Sequence, residues 1–309
     1  MLRRLARGGD EAAACSDANA LWFDLESPTS AEEAEVEAAL GIDVPTPAER
    51  AAFEESARYY EENGALFLTA TLPGRREEGL FVAGPVTFIL VGGKLVTVRQ
   101  VRPRAFDVGS GRASARVGSA QTGADVLLAL LEGAAERLAD LLAEATREAN
   151  AISQAVFAPD AEPDLRAVLR DLGRLGSYAA LSHDSLSSLQ RLATYARAFK
   201  GYGLDDKRLA AFARDVGELE RIAEALQPRL AFLQDATLGL INAAQTNVLK
   251  ALSLATIAFV PPTLIASIFG MNFEAMSWFR AGWGPWVGFL LMLAAPAALF
   301  AIAKWRKWF

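Results

Sequence analysis

Residues 267–276 read SIFGMNFEAM, and there Gly270 and Asn272 close an apolar run that holds no charged residue from Ala251 to Phe269. A side-chain-free backbone and a carboxamide offer uncharged oxygen acceptors, which suit a polar or hydrated solute and contribute nothing to packing against hydrocarbon. Traced backwards at helical spacing, Gly270 closes a face made of Asp235, Asn242, Leu249, Leu252, Thr256, Val260, Thr263 and Ser267. The steps are 7, 7, 3, 4, 4, 3, 4 and 3, which keep every member on one side of a helix. Hydroxyls at 256, 263 and 267 lie inside the apolar run, and Asp235 and Asn242 carry the polarity beyond it. Ordinary contact between membrane helices also favours small and hydroxyl residues. A face that runs on to Gly270 and Asn272, past the end of the span, favours an aqueous path instead. Two helices cannot enclose such a path, so several copies of the chain must each contribute one.

The elements that position this stripe follow from composition. The 309 residues are 52% apolar, high for a soluble protein. Ala251 to Phe269 and Gly282 to Ala303 are both free of charge and close to the roughly 20 residues that cross hydrocarbon as a helix. Lys250 abuts the first span, and Lys304, Arg306 and Lys307 follow the second. By the positive-inside rule both basic flanks face the cytoplasm, with N- and C-termini inside and a short outer loop at 270–282. The start, MLRRLARGGDEAAACSD, lacks the apolar core of a secretory signal, so the long N-terminal part is expected in the cytosol.

Charge and reactive side chains narrow the function. Residues 251–309 carry four basic side chains against Glu274, a net of +3, so the remainder carries −9 of the total −6. An acidic cytosolic part argues against nucleic acid as a partner. One cysteine, Cys15, and one histidine, His183, cannot build a structural zinc site, and His183 reads as a surface helix residue. No nucleophile–base pairing and no GxxxxGK[ST] phosphate loop is present, so the chain is not expected to be an enzyme or an ATP-driven pump. A membrane-anchored sensor that conducts nothing is the rival from another class.

Short β-branched and aromatic runs at 20–26, 65–72, 86–91 and 94–99 read as strands, the last two joined by a hairpin at Gly92-Gly93. TSAEEAEVEAALG and TPAERAAFEESARYYEE between the first two read as helices. Long helical patterns follow at 124–157 and 163–200. A third begins near Leu204 and runs into the first span, with Pro228 as a possible kink. The expected fold class is an α+β cytosolic domain with a long α-helical stalk of about 100 Å and two C-terminal transmembrane helices. The domains read as 1–120, a cytosolic α/β part; 121–249, a long-helix bundle and stalk; 250–271, the first span; 272–282, the outer loop; 283–303, the second span; and 304–309, a basic tail.

PPTLIASIFGMNFEAM at 261–276 and the terminal KWRKWF resemble the CorA magnesium channels of the two-transmembrane, GMN-motif type. LWFDLESPTSAEE at 21–33, FEESARYYEENGALFLTA at 53–70 and VTFILVGGKLVTVR at 86–99 are similar to that family's cytosolic domain, so the resemblance covers essentially the whole chain. It implies a homopentameric funnel in a bacterial inner membrane, with first-span helices around one pore and second-span helices outside. Gly270, Met271 and Asn272 would form the outer filter. Asp235, Thr246, Leu249, Leu252, Val260 and Thr263 would face the pore, Thr246 lying one step off the periodic stripe. Glu274 would attract cations at the mouth. No resident cofactor is implied; Mg²⁺ is the transported and regulatory ion, with Co²⁺, Ni²⁺ or Zn²⁺ as alternatives. The chain departs from the family at Ser277-Trp278-Phe279, where a proline and a second loop carboxylate are common, and at Phe269, where tyrosine is common.

Overall fold

The computed structural model describes residues 1–6, 20–50, 54–75, 81–103, 106, 116–158, 163–271 and 283–306. Cys15, Asn272 and Glu274 therefore lie outside the described residues. The chain divides into two compact units, Met1–Gln234 and Asp235–Phe309.

In the first unit, strands β1 (Leu2–Ala6), β2 (Ala20–Glu26), β3 (Tyr59–Glu62), β4 (Ala65–Arg75), β5 (Phe81–Val91) and β6 (Lys94–Arg99) form one sheet in the order β1-β2-β6-β5-β4-β3. Only β2 and β6 run parallel, with Asp24 opposite Thr97 and Glu26 opposite Arg99. The β5–β6 hairpin turns at Gly92 and Gly93, whose φ values of 55° and 76° suit a tight turn matched to the twist of the strands.

Helix α1 (Ser30–Leu40) starts on a capping box in which the Glu32 amide donates to Thr29 and the Glu32 carboxylate accepts from the Thr29 amide. Its Val36 packs with Phe23, Phe67, Ile89 and Val96 on one face of the sheet. Where a helix was expected over 46–62, the described residues hold two single turns, α2 (Pro47–Arg50) and α3 (Glu55–Arg58), and then strand β3. The aromatic pair Tyr59-Tyr60 joins β4 across a turn at Asn63 and Gly64, both with positive φ, 51° and 74°. Asn-Gly is a strong hairpin signal, and it overrides the helical pattern before it.

The other face of the sheet carries α4 (Gly123–Phe157) and α5 (Leu165–Ala196), and these share one core, containing Leu127, Leu138 and Leu186 with Trp22, Leu68 and Phe88, with Leu230 of the first part of α6 (Asp206–Gly270). Thr122 and Asp125 cap α4 reciprocally. Gly123 is required there: a Cβ would stand 2.3 Å from the Lys94 carbonyl carbon, and its amide donates to Gly93 at 2.7 Å. Along α6, Leu209, Phe212, Val216, Leu219, Ala223, Leu226, Leu230 and Leu233 recur at steps of 3 and 4, the seam of helix-on-helix packing. Helix α6 runs through Pro228 as one helix of 65 residues.

In the second unit, the end of α6 and α7 (Gly284–Trp305) are both long and apolar enough to cross a membrane.

Candidate functional site

The stripe is built by the apolar end of α6. Its half-buried positions are Leu254, Ile257, Pro261, Pro262, Ile265 and Phe269, and all but Pro262 form one row at steps of 3 and 4. The matching row on α7 contains Gly288, Met292, Ala295 and Ala303, of which Gly288 is buried and Ala303 is 3% exposed. Phe269 and Gly288 are in direct contact. These two rows are where α6 meets α7 within the chain.

The stripe lies elsewhere. Leu252, Thr256, Thr263 and Ser267 each stand two residues from a member of the half-buried row, about 200° around the helix. Asp235, Asn242, Thr246, Leu249, Leu252, Thr256, Val260, Thr263, Ser267 and Gly270 are all exposed. The apolar members are wide open: Leu249 is 62%, Leu252 63% and Val260 55% exposed. Packing of α6 on α7 therefore does not explain the stripe, because α7 takes the opposite face. Thr246 joins Leu249, Leu252 and Thr256 along one groove of about 610 Å³, so its one-step offset leaves it on the same surface.

The three threonines of the stripe have a common arrangement. Thr246 donates to the Asn242 carbonyl at 2.9 Å, Thr256 to Leu252 at 2.9 Å and Thr263 to Phe259 at 2.6 Å. Ser253 donates to Leu249 at 2.9 Å in the same way. Each proton is used inside the helix, so each oxygen presents only lone pairs outward. A row of acceptors suits donors such as the waters around a cation. It is poorly suited to anions, which need donors.

Asp235, Asn242, Leu249, Thr256, Thr263 and Gly270 also recur at every seventh residue. Gly270 is the last residue of α6, and the Met271 amide donates to the Ile268 carbonyl at 3.3 Å, closing the helix end. His183 lies on α5 rather than on the stripe, half-buried, and its Nδ1 has no hydrogen-bond partner among the described residues. Among the described residues no group of three or more histidine, cysteine, aspartate or glutamate side chains gathers to hold a metal directly.

A second polar constellation, unread in the sequence, sits in the sheet. Arg99 is 2% exposed and donates through Nε to Asp24 Oδ1 at 2.9 Å, through Nη2 to Asp24 Oδ2 at 2.7 Å and to Glu26 at 2.8 Å, and through Nη1 to the Val101 carbonyl at 2.8 Å. Thr97 donates to Asp24 at 2.8 Å and accepts from Trp22 Nε1 at 2.9 Å. Burial alone would lower the Arg99 pKa; the Asp24 hydrogen bond and charge, with Glu26 behind them, hold it above its usual value. Every charge is paired, as buried charge requires, and the network locks the parallel β2–β6 register.

Two helices long and apolar enough to span, one of them presenting an acceptor row on the face its partner helix leaves open, are the mark of an integral membrane protein. The chain belongs to the family described as CorA-like Mg²⁺ transporter protein, whose model matches residues 17–306. This is a family of ion transporters and not of enzymes. Among its relatives is the magnesium transport protein CorA of Wolinella succinogenes, 29% identical over 299 residues that cover 95% of this chain and 92% of the relative. The protein of that name from Escherichia coli K12 is 29% identical over 294 residues, 94% of this chain and 92% of the relative. In fold the chain is similar to the complete structure of the CorA magnesium transporter from Methanocaldococcus jannaschii, with a TM-score of 0.72 at 18% identity over 98% of this chain and 97% of that one. It is also similar to the full-length CmaX protein, with a TM-score of 0.63 at 18% identity over 93% and 87% of the two chains.

Proposed function

We propose that the chain carries Mg²⁺ into the cell as a homopentamer in a bacterial inner membrane, with five α6 helices around one pore and the termini in the cytoplasm. The observation that carries this reading is the exposed acceptor row on the face of α6 turned away from α7. Relatives named for magnesium transport support the choice of ion.

Mg²⁺ holds its octahedral water shell tightly, so rapid passage is easiest with that shell largely kept. Gly270 carbonyls and Asn272 amide oxygens at the outer end accept hydrogen bonds from those waters, with Met271 spacing the two. Neutral acceptors hold the ion weakly enough to release it. Glycine brings the backbone to the axis because no side chain intervenes. Glu274 raises the local cation concentration at the mouth. Below, the Thr263, Thr256 and Thr246 oxygens continue the acceptor row, while Leu249, Leu252 and Val260 form apolar rings that stop conduction by dewetting when the helices close together. Asn242 and Asp235 receive the ion on the cytoplasmic side.

The driving force is the membrane potential, worth about 4.6 kcal/mol per 100 mV for a divalent cation. Cytosolic Mg²⁺ gates the pore by binding acidic surfaces of the closed assembly, and its depletion shifts the population towards the open one. Flux into proteoliposomes tests the reading. Asn272→Ala is expected to abolish Mg²⁺ uptake while leaving the oligomer intact; normal uptake by that variant refutes the filter. The same assay with Co²⁺, Ni²⁺ and Zn²⁺ ranks the alternative cargoes.

A further inference from the structure

The basic residues that flank the two spans have a use that orientation alone does not exhaust. Phe269 touches Gly288, so the two spans, running in opposite directions at equal rise, bring Leu254 level with Ala303, which is only 3% exposed. The same register sets Lys304 level with Ser253 and Arg306 level with Ala251, one residue beyond Lys250. Lys250, Lys304 and Arg306 therefore fall within about one helical turn, about 5 Å, of the same depth.

All three are exposed. From residue 235 onward the sequence contains only two side-chain carboxylates, Asp235 and Glu274. Asp235 is fifteen residues from Lys250 on the same helix, about 22 Å away, and Glu274 follows the far end of the span. The three cations thus have no acidic side chain within reach along their own helices. Between Lys304 and Arg306 stands Trp305, 82% exposed, an aromatic ring of the kind that settles at headgroup level.

We infer that Lys250, Lys304 and Arg306, with Trp305 between the last two, form a docking surface for the headgroup phosphates of anionic phospholipids. The charge, its confinement to one depth and the exposed indole select a lipid over a soluble anion, because the phosphate plane of the bilayer lies at that depth. The inference rests on the two-span reading and is independent of ion conduction.

Tryptophan quenching by phospholipids brominated on identical acyl chains tests it, with the full-length chain in neutral detergent micelles, where membrane orientation plays no part. Each basic residue at an anionic surface changes lipid association by about fivefold, so phosphatidylglycerol is expected to quench at concentrations about tenfold or more below phosphatidylcholine. The preference should disappear in the Lys250→Gln/Lys304→Gln/Arg306→Gln variant and, for the unmodified chain, collapse in about 0.5 M salt. Inorganic phosphate at matched concentration should leave it intact; displacement by phosphate assigns the site to a soluble anion and overturns the inference. Equal quenching of the unmodified chain by both lipids overturns it too, as does a preference that survives the triple substitution or high salt. Absence of quenching by either lipid sinks the spanning reading and this inference with it, whereas a chain that prefers phosphatidylglycerol but conducts nothing refutes only the transport reading.

Discussion

The Phe269 ring occupies the place where a Cβ on Gly288 would be: such an atom would stand 2.6 Å from the ring's Cε1. The residue just before Gly270 is therefore seated in a notch on the second span, which fixes the end of α6 against α7 immediately below the proposed filter. Gly288→Ala forces the ring out at a cost of about 1–3 kcal/mol. Mg²⁺ uptake in proteoliposomes should fall about tenfold, since a small misplacement of a positioning group is costly. Phe269→Leu combined with Gly288→Ala should regain most of it; a double variant as poor as the single one would show that the notch does not position the filter.

Leu249 offers a test of the apolar rings. Leu249→Ser replaces a wide-open side chain with a hydroxyl that can bond back to its own helix, as Ser253 already does. A wetted ring no longer empties when the helices approach, so the variant should leak Mg²⁺ under high internal Mg²⁺, the condition in which the proposed gating closes the unmodified protein. Electrophysiology on reconstituted protein reads this directly.

The buried network in the sheet should behave as an all-or-none unit. Arg99→Met leaves Asp24 buried without its cation and Glu26 with Arg102 alone, and should destabilise the fold by about 3–5 kcal/mol in denaturant titrations. Adding Asp24→Asn and Glu26→Gln removes the stranded charges, and much of the loss should return. A single variant within about 0.5 kcal/mol of the parent would contradict the assignment of the network as the clamp on β2–β6.

Acid should loosen the same place. Burial pushes the Glu26 carboxyl up, but the Arg102 hydrogen bond and the charges of Arg99 and Arg102 outweigh it and hold the group below its usual 4.5. A carboxyl depressed in the folded state contributes stability that is fully present above the unfolded value and is lost as pH falls through the folded one. Thermal melts should therefore be insensitive to this group near neutrality and drop below about pH 4.5. Glu26→Gln should show a flatter fall over that window, measured against the parent in the same detergent.

What the sequence conveyed depended on how far apart the interacting residues lie along it. The Gly92-Gly93 hairpin and the capped start at Thr29 were legible because each is settled within a few residues. The stripe was legible because a helix repeats at a fixed period. The same turn chemistry at Asn63-Gly64 was present and went unread, because the acidic, alanine-rich stretch before it has a helical pattern that the β4 edge overrides at Tyr59-Tyr60. Strand β1 was not legible: LRRLA carries two arginines on a sheet edge and becomes a strand only through pairing with β2. Arg99 and Asp24 stand 75 positions apart, and nothing local in either strand announces their contact. The Phe269–Gly288 notch likewise exists only once the two spans are laid together.

The leucine seam of α6 holds to Leu233, and from Leu238 to Lys250 every residue is exposed except Ile241, which is half-buried. Leu238, Leu240, Val248 and Leu249 stand 40% to 68% exposed there, on a stretch of helix that the described residues leave bare. Such a segment has too little local propensity to hold its shape by itself in water. In the proposed assembly its order comes from other copies, so mass action enters the melting curve: dilution should unfold this stretch before the sheet, and hydrogen exchange at 238–250 should slow as protein concentration rises while exchange in β4–β6 stays the same.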